Sequence, residues 1–442
     1  MNPATCHVYR PEKRRGTLDV LQQGDQSSYI ARGLGRSYGD AATNADAGVI
    51  DVTRLNRLIS FDAESGVVEC EAGVSLATLI DIFMPRGYFL SVSPGTKYVT
   101  VGGAIANDIH GKNHHRCGSF GEHVQSLMLL TASGDILTCS RESNSDLFWA
   151  TVGGAGLTGI IVSARISLQR VESAYMVLQR ERVHSLDEAL GMMAERDADH
   201  QYSVMWLDCL ARGKHLGRGV MMHADHAPVS ALSGSRASHP LDFHAGRKKS
   251  VPLDAPGFVL NPLSIRLFNT LYYARNTNVH DYIVDYDQYF YPLDGVLHWN
   301  RMYGKAGFAQ YQATLPPDSV GGLVKLLERL SDSRRASFLA VLKRFGPEGE
   351  GLLSHPFEGY TLTLDIPNRP GLVDFLHELD ALVLDHGGRL YFAKDAVARP
   401  EVIADMYPRL EAFREVKKRV DPDGCFDSTL ARRLQLTEGV AS

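Results

Sequence analysis

Short apolar runs, alternating with polar positions and bounded by turn residues, dominate the first 170 positions. Residues 27–35 (SSYIARGLG) predict a strand running into a glycine loop, and 48–53 (GVIDVT) predict another strand. Residues 58–73 (LISFDAESGVVECEAG) predict a hairpin turning at Glu64-Ser65-Gly66; 125–139 (QSLMLLTASGDILTC) predict a second, turning at Ser133-Gly134-Asp135. Between them Ser75 is placed to cap a helix that ends by Pro85. Residues 158–169 (TGIIVSARISLQ) read as a β-branched strand. Hairpins without strand–helix alternation argue for an α+β fold and against a doubly wound sheet.

The texture changes near residue 171. Residues 186–197 predict an amphipathic helix, 202–208 a strand, and 318–331 and 370–386 two further helices; 400–436 reads as largely helical and basic. Residues 226–259 are rich in Ser, Ala, His, Pro and Gly without periodicity, and predict a long mobile loop of the kind that serves as a lid. Aromatic residues crowd 272–312.

A chain of 442 residues that is 44% hydrophobic and 22% charged is long enough for two or three domains and excludes a low-complexity or disordered class. The net charge of -5 gives no general pull toward nucleic acid or an anionic membrane, although Arg247-Lys248-Lys249 forms a local basic cluster suited to a phosphorylated or lipid-linked substrate. Six scattered cysteines contain no Cys-x-x-Cys pair and suit a reducing compartment. No apolar run reaches the roughly 18 residues of a membrane span, and the first residues lack an apolar signal core, so cytoplasmic residence is expected.

Six motifs carry candidate chemistry. In Arg32-Gly33-Leu34-Gly35-Arg36-Ser37-Tyr38-Gly39-Asp40 the glycines free amides to point at an anion, giving either a pyrophosphate nest or a tight surface loop. Pro94-Gly95-Thr96 with Thr100-Val101-Gly102-Gly103-Ala104 offers a second close approach of backbone to a ligand, or two ordinary turns. Gly154, Gly156 and Gly159 match G-x-G-x-x-G formally, but a strand follows where the dinucleotide fingerprint requires a helix, so that reading is rejected. His110 and His114 have the i, i+4 spacing of a zinc pair. Gly111 argues against a helix there and no carboxylate or cysteine completes the set, so no metal is expected. His110, beside the double glycine, is the better catalytic candidate, and His114 and His115 read as structural. Lys394, in Tyr391-Phe392-Ala393-Lys394-Asp395, is either a solvated edge residue or, if buried, a stabiliser of developing negative charge. Gln310 and Gln312 share one face of a strand and, with Lys343, suit a hydroxylated, phosphorylated ligand or an exposed polar face.

Taken together, ARGLGRSYGD, SVSPGTKYVTVGGAIANDIHGKNHH, GSFGEHV, LFWATVGGAGLTGII, WNRMYGKAGFAQYQ, LYFAKD and VDPDGCF resemble the flavin oxidases of the vanillyl-alcohol-oxidase type, and within them the oxidases of polyprenylphosphoryl ribose. The resemblance runs almost end to end. It implies a PCMH-type FAD-binding domain formed by both chain ends (1–172 and 389–442) and an inserted α+β substrate domain (173–388) around an antiparallel sheet. It implies FAD contacts at Gly33, Gly35, Arg36, Ser37, Tyr38, Gly95, Thr96, Gly102, Gly103, Ala106, His110, Gly159, Ile161, Tyr391 and Lys394. Tyr38 stands where some relatives attach flavin covalently through histidine, so FAD is expected to be non-covalent.

By the same resemblance Lys394 faces the N1/C2 edge of the flavin, and His110 and Lys112 line the same centre. Gln310, Gln312, Lys343, Phe290 and Thr363 fall at substrate-pocket positions. Phe290 replaces a tyrosine, and Thr363 replaces a cysteine that reacts with nitroaromatic inhibitors, which are therefore expected to fail here. The implied reaction is FAD-dependent oxidation of a sugar secondary hydroxyl to a ketone: the 2′-OH of a polyprenylphosphoryl ribose, the first half of a 2′-epimerisation serving arabinan and cell-wall precursors. An NAD(P)H-dependent short-chain reductase is the implied functional partner and a quinone the implied electron acceptor, at the inner-membrane surface; no nucleic-acid partner is expected. An alditol or aldonolactone oxidase using oxygen, and a non-catalytic flavin-binding scaffold subunit, stand as alternatives.

Overall fold

The structure, a computed structural model, describes residues 4–243, 246, 248–257, 259–335 and 337–437. The predicted early elements form. Strands Tyr29–Arg32, Gly48–Asp51 and His7–Tyr9 make a small parallel sheet with Gly48–Asp51 in the centre. Both predicted hairpins, Leu58–Asp62 with Val67–Glu71 and Val124–Leu130 with Ile136–Ser140, flank the long strand Ile160–Arg170 in an antiparallel sheet, and Tyr88–Leu90 pairs with the end of that strand. Ser75 caps helix Leu76–Phe83, its hydroxyl accepting the Thr78 amide at 3.0 Å.

A second antiparallel sheet of eight strands follows, in the order Val279–Asp285, Tyr175–Val183, Gly219–His226, Tyr202–Leu207, Ala340–Phe345, Gly359–Pro367, Phe308–Leu315 and Arg389–Leu390. Its register determines what faces the rest of the molecule. Gln310 lies opposite Asp365, Gln312 opposite Thr363, and Lys343 opposite Thr361. Side chains alternate across a strand, so these polar residues share one face. Tyr311, Ala313, Leu342, Leu362 and Leu364 point to the other face and are buried, where helices Val320–Ser333 and Leu372–Asp385 cover them. The α+β class is thus as the pattern requires, and the antiparallel sheet is as the resemblance implies.

The segment 226–259 differs from its expected form as an unstructured loop. It holds one-turn helices at Val229–Ala231 and Ser235–Ser238, and Lys249–Ser250 pairs in parallel with Val296–Leu297. Hydrogen bonds pin its first part: the Ala174 amide donates to Pro240 at 2.8 Å and the Ser173 hydroxyl to the Ala227 carbonyl at 2.6 Å. Such pinning leaves no periodic trace in sequence. Arg247 of the basic cluster lies outside the described residues.

The two chain ends meet. Phe426 bridges Tyr29, with the Tyr29 amide donating to Cys425 at 2.7 Å and the Asp427 amide to Tyr29 at 3.0 Å. Tyr29, Ile50, Leu130, Ile160, Val162 and Phe426 form a separate small core behind this junction. Arg433, on the last described helix Thr429–Leu434, grips Asp40 in a bidentate pair at 2.7 and 2.9 Å and lies 2.8 Å from the buried Asp395. One guanidinium therefore holds the first glycine loop to the turn that carries Lys394. Arg433→Ala should lower stability by about 2–3 kcal/mol in urea unfolding, because it leaves Asp395 buried without its counter-charge. A loss below about 0.5 kcal/mol would mean the clamp is decorative.

Candidate active site

The polar face of the eight-stranded sheet looks across a cavity of about 1280 Å³ toward the glycine loops of the N-terminal part. Every residue expected to bind cofactor or substrate, or to act in catalysis, lines this one space: the loop residues Gly33, Gly35, Arg36, Ser37, Tyr38, Gly95, Thr96, Gly102, Gly103, Ala106, Gly159 and Ile161, with His110 and Lys112, Phe290, Gln310, Gln312, Lys343, Thr363, Tyr391 and Lys394. Its volume exceeds the roughly 300–1,000 Å³ of an ordinary small-molecule pocket, leaving room for two ligands side by side.

The loop 33–38 supplies an anion nest. Among the described residues, the amides of Leu34, Gly35, Arg36 and Ser37, and those of Gly95 and Thr96, donate to no acceptor in the protein. Gly35 sits at φ 61, in the left-handed region. The double glycine works differently from its expected role. Gly102 donates its amide to Ala72 at 2.8 Å, and Gly103 donates to the Thr100 hydroxyl at 3.2 Å, so neither amide is free for a ligand. What matters there is the missing Cβ: one on Gly102 would stand 2.9 Å from that of Ala72, and one on Gly33 only 2.1 Å from the Thr100 hydroxyl.

Three lysines stand half-buried around the opposite end, lining the cavity. The Lys394 ammonium lies 4.1 Å over the Tyr38 ring and has no hydrogen bond or ion pair among the described residues. Burial pulls its ammonium down to about 8, against the raising field of Asp365. Lys343 and Lys112 are each brought down to about 7, first by burial; Lys394 adds repulsion at Lys343, and Lys343 at Lys112. Lys112 donates to the Tyr289 carbonyl and sits 4.0 Å over that ring. Lys394 therefore lines the cavity, half-buried, rather than standing on an open sheet edge.

His110 is held at the centre. Lys343 Nζ is 3.2 Å from its Nδ1, and the Gln312 side-chain amide is 2.8 Å from its Nε2. Burial and then Lys343 drive it well below the usual histidine range, so the ring is neutral and carries one N–H. The Gln312 amide nitrogen, which also donates to the Thr361 hydroxyl at 3.0 Å, is the group that faces Nε2, and Lys343 Nζ faces Nδ1. Both nitrogens are then engaged, and His110 has no lone pair free for a substrate proton. His114 accepts the Gly346 amide at 3.1 Å, and His115 lies 3.1 Å from the His200 carbonyl; neither lines the cavity.

Several contributing residues escaped the sequence reading. Asp365 sits behind Gln310, accepting its amide at 2.5 Å and the Tyr303 hydroxyl at 3.3 Å; burial raises its carboxyl to about 6. Asp294 accepts the Thr96 hydroxyl at 2.8 Å and the Lys97 amide at 3.0 Å, while Lys97 pairs with Asp287 at 2.6 Å. These contacts fix the Pro94-Gly95-Thr96 loop against the aromatic segment near Phe290. The only available signal was a lysine within a glycine loop, with no local carboxylate to match it.

Residues 8–140 match the FAD binding domain family, and residues 365–434 match the D-arabinono-1,4-lactone oxidase family. The chain is 42% identical over 424 residues to decaprenylphosphoryl-beta-D-ribose oxidase of Mycolicibacterium smegmatis, across 96% of this chain and 92% of that protein. It is 24% identical over 438 residues to L-gulonolactone oxidase of Mus musculus, across 95% of this chain and 92% of that one. The solved structure of Physcomitrella patens BBE-like 1 superposes with a TM-score of 0.66 at 14% identity, over 95% of this chain and 89% of that chain, which shows a shared fold.

The cofactor is FAD, and the cavity fits it. Free amides at 34–37 and 95–96 suit its pyrophosphate, and the unpaired Lys394 ammonium suits an electron-rich ring edge. The Gln310 Oε1 and Thr363 Oγ1 atoms, buried without protein partners, remain for a second ligand. No cysteine lines the cavity. Affinity of the FAD-loaded protein for a sugar phosphodiester, measured by calorimetry, should fall as pH rises from about 6 to about 9. Over that range Lys112 and Lys343, then Lys394, lose their positive charge while the ligand keeps its own. An affinity flat across the range would place the lysines outside the binding site.

Proposed function

The chain belongs to the decaprenylphosphoryl-β-D-ribose oxidase family of FAD-dependent sugar oxidoreductases, and on that premise we propose that it oxidises the ribose 2′-hydroxyl of a polyprenylphosphoryl ribose to the ketone. The observation that carries this reading is the shared cavity, in which a glycine cradle and a face of two glutamines and three lysines confront each other. Bound FAD supplies the two-electron acceptor for the oxidation.

The chain's own residues do the rest. Gln310 and Gln312 orient ribose hydroxyls from the sheet face, and the Thr363 hydroxyl and Phe290 ring shape the pocket where relatives carry other side chains. Lys112 and Lys343 neutralise the substrate phosphate, and Lys394 stabilises negative charge that develops at the cofactor. His110 positions Lys343 and Gln312, and because both of its nitrogens are engaged the substrate hydroxyl proton leaves through a bound water. The ketone is the substrate of a partner reductase using NAD(P)H, so the two steps together invert C2′. The lipid-linked substrate places the work at the surface of the inner membrane, with a quinone as the reoxidant. No described helix is long and apolar enough to cross a membrane. A second reading, an oxygen-using alditol or aldonolactone oxidase, draws on the lactone-oxidase match at 365–434.

Anaerobic mixing tests the choice. Prenylphosphoryl ribose should bleach the flavin absorbance, and free alditols or gulonolactone should not. Bleaching by the free polyol, with peroxide released on admitting air, would favour the second reading. Lys394→Met should slow the bleaching about 10²–10³-fold. Unchanged bleaching in that variant would remove Lys394 from the chemistry.

A further inference from the structure

The helix Pro262–Arg275 presents an apolar stripe to solvent. Leu263, Leu267 and Leu271 follow one another at i, i+4, i+8 and are 78%, 60% and 60% exposed, with Phe268 beside them at 44%. The opposite side is anchored: Ile265 and Asn269 are buried, and Asn269 donates to Asp208 at 2.7 Å. The stripe is thus a surface of a seated helix rather than a detached segment. Leucines arranged in this way are unusual on a water-facing helix.

The helix also borders the active-site cavity. Its Tyr272, and Asn276 just after its end, line the cavity wall, and a chain of rings leads inward from the surface: Phe268 stacks on Tyr272, and Tyr272 packs at 4.5 Å on Trp206, which lines the interior. Exposed residues that line the same cavity mark its mouth, among them Lys248, Tyr282 and Leu297. From Lys248 to Arg275 the sequence holds four Lys or Arg residues and one Asp, in a chain whose net charge is -5.

We propose that this helix docks on a phospholipid bilayer carrying anionic headgroups, with Leu263, Leu267 and Leu271 entering the interface and Arg266 and Arg275 meeting the phosphates. The inference rests on the reading of the substrate as lipid-linked: the stripe sets the cavity mouth against the membrane that holds the isoprenoid tail. A cationic, apolar helix face is the chemistry of an interfacial anchor. A second copy of the chain fits this surface poorly, since pairing it with itself would bring like charges together and cover the mouth.

Sedimentation of the FAD-loaded full chain with vesicles, without substrate, tests the surface independently of the reaction. Wild type should bind phosphatidylcholine vesicles containing phosphatidylglycerol more strongly than phosphatidylcholine alone. Leu263→Glu/Leu267→Glu/Leu271→Glu should lower partitioning roughly tenfold or more while retaining flavin absorbance. Arg266→Gln/Arg275→Gln should remove only the dependence on phosphatidylglycerol. Leu267→Trp, which keeps an apolar side chain there, should show blue-shifted emission on adding anionic vesicles. Equal sedimentation of wild type and the triple variant, or no emission shift, would overturn the proposal, as would a concentration-dependent dimer that the triple variant abolishes. Flavin bleaching by a soluble short-chain prenylphosphoryl ribose reports on the substrate reading separately: bleaching without vesicle binding would overturn the anchor alone.

Discussion

Three ammonium groups stand half-buried around one cavity, and among the described residues none of them is paired with a carboxylate. Removing a charge from water without a partner is among the larger penalties a fold can carry, and the lowered protonation of Lys112, Lys343 and Lys394 is its direct expression. Asp365 moderates the penalty at Lys394 through its field, while its own oxygens are occupied by Gln310 and Tyr303. The arrangement makes sense when the compensating negative charge arrives with ligands. A phosphate and an electron-rich ring supply it at two separate points, so the protein is built to bind charge that it does not itself contain.

Two devices hold these cations in place. One is the alternation of the eight-stranded sheet, which puts Gln310, Gln312, Lys343 and Thr363 on one face while the other face buries apolar side chains under two helices. The second is the closure of the chain ends, where Arg433 reaches both Asp40 and Asp395. A Cβ on Gly39 would stand 1.7 Å from the Asp395 carbonyl, so the first loop and the lysine turn lie in direct backbone contact. The nest that receives an anion and the ammonium that stabilises charge therefore belong to one tightly joined unit.

Much of this was legible in the sequence. The hairpins, the capped helix after Ser75 and the strand after the third glycine run follow from period-two alternation and turn chemistry, which act over a few residues. The glycine loops and Lys394 were visible as motifs, and the resemblance they carry to a family of flavin oxidases implied the cofactor. Long-range matters were not visible. The Gln310–Asp365 contact depends on strand register across 55 residues, and the links from His110 to Gln312 and Lys343 span 202 and 233. The free amides of 34–37 and the occupied amides of 102–103 look alike in sequence, because both are simply glycine-rich. Only the neighbouring Ala72 and Thr100 distinguish them.

The junction of Tyr29 with Phe426 also has a bearing on biosynthesis. A ribosome delivers the loops around Gly33 and Gly102 well before the edge that closes over Tyr29 and the helix bearing Arg433. Until then the half-built cradle exposes Tyr29 and Ile50 to the cytosol and to chaperones. The cradle for the vitamin-derived prosthetic group is thus completed only once the segment bearing Phe426 and Arg433 has been made.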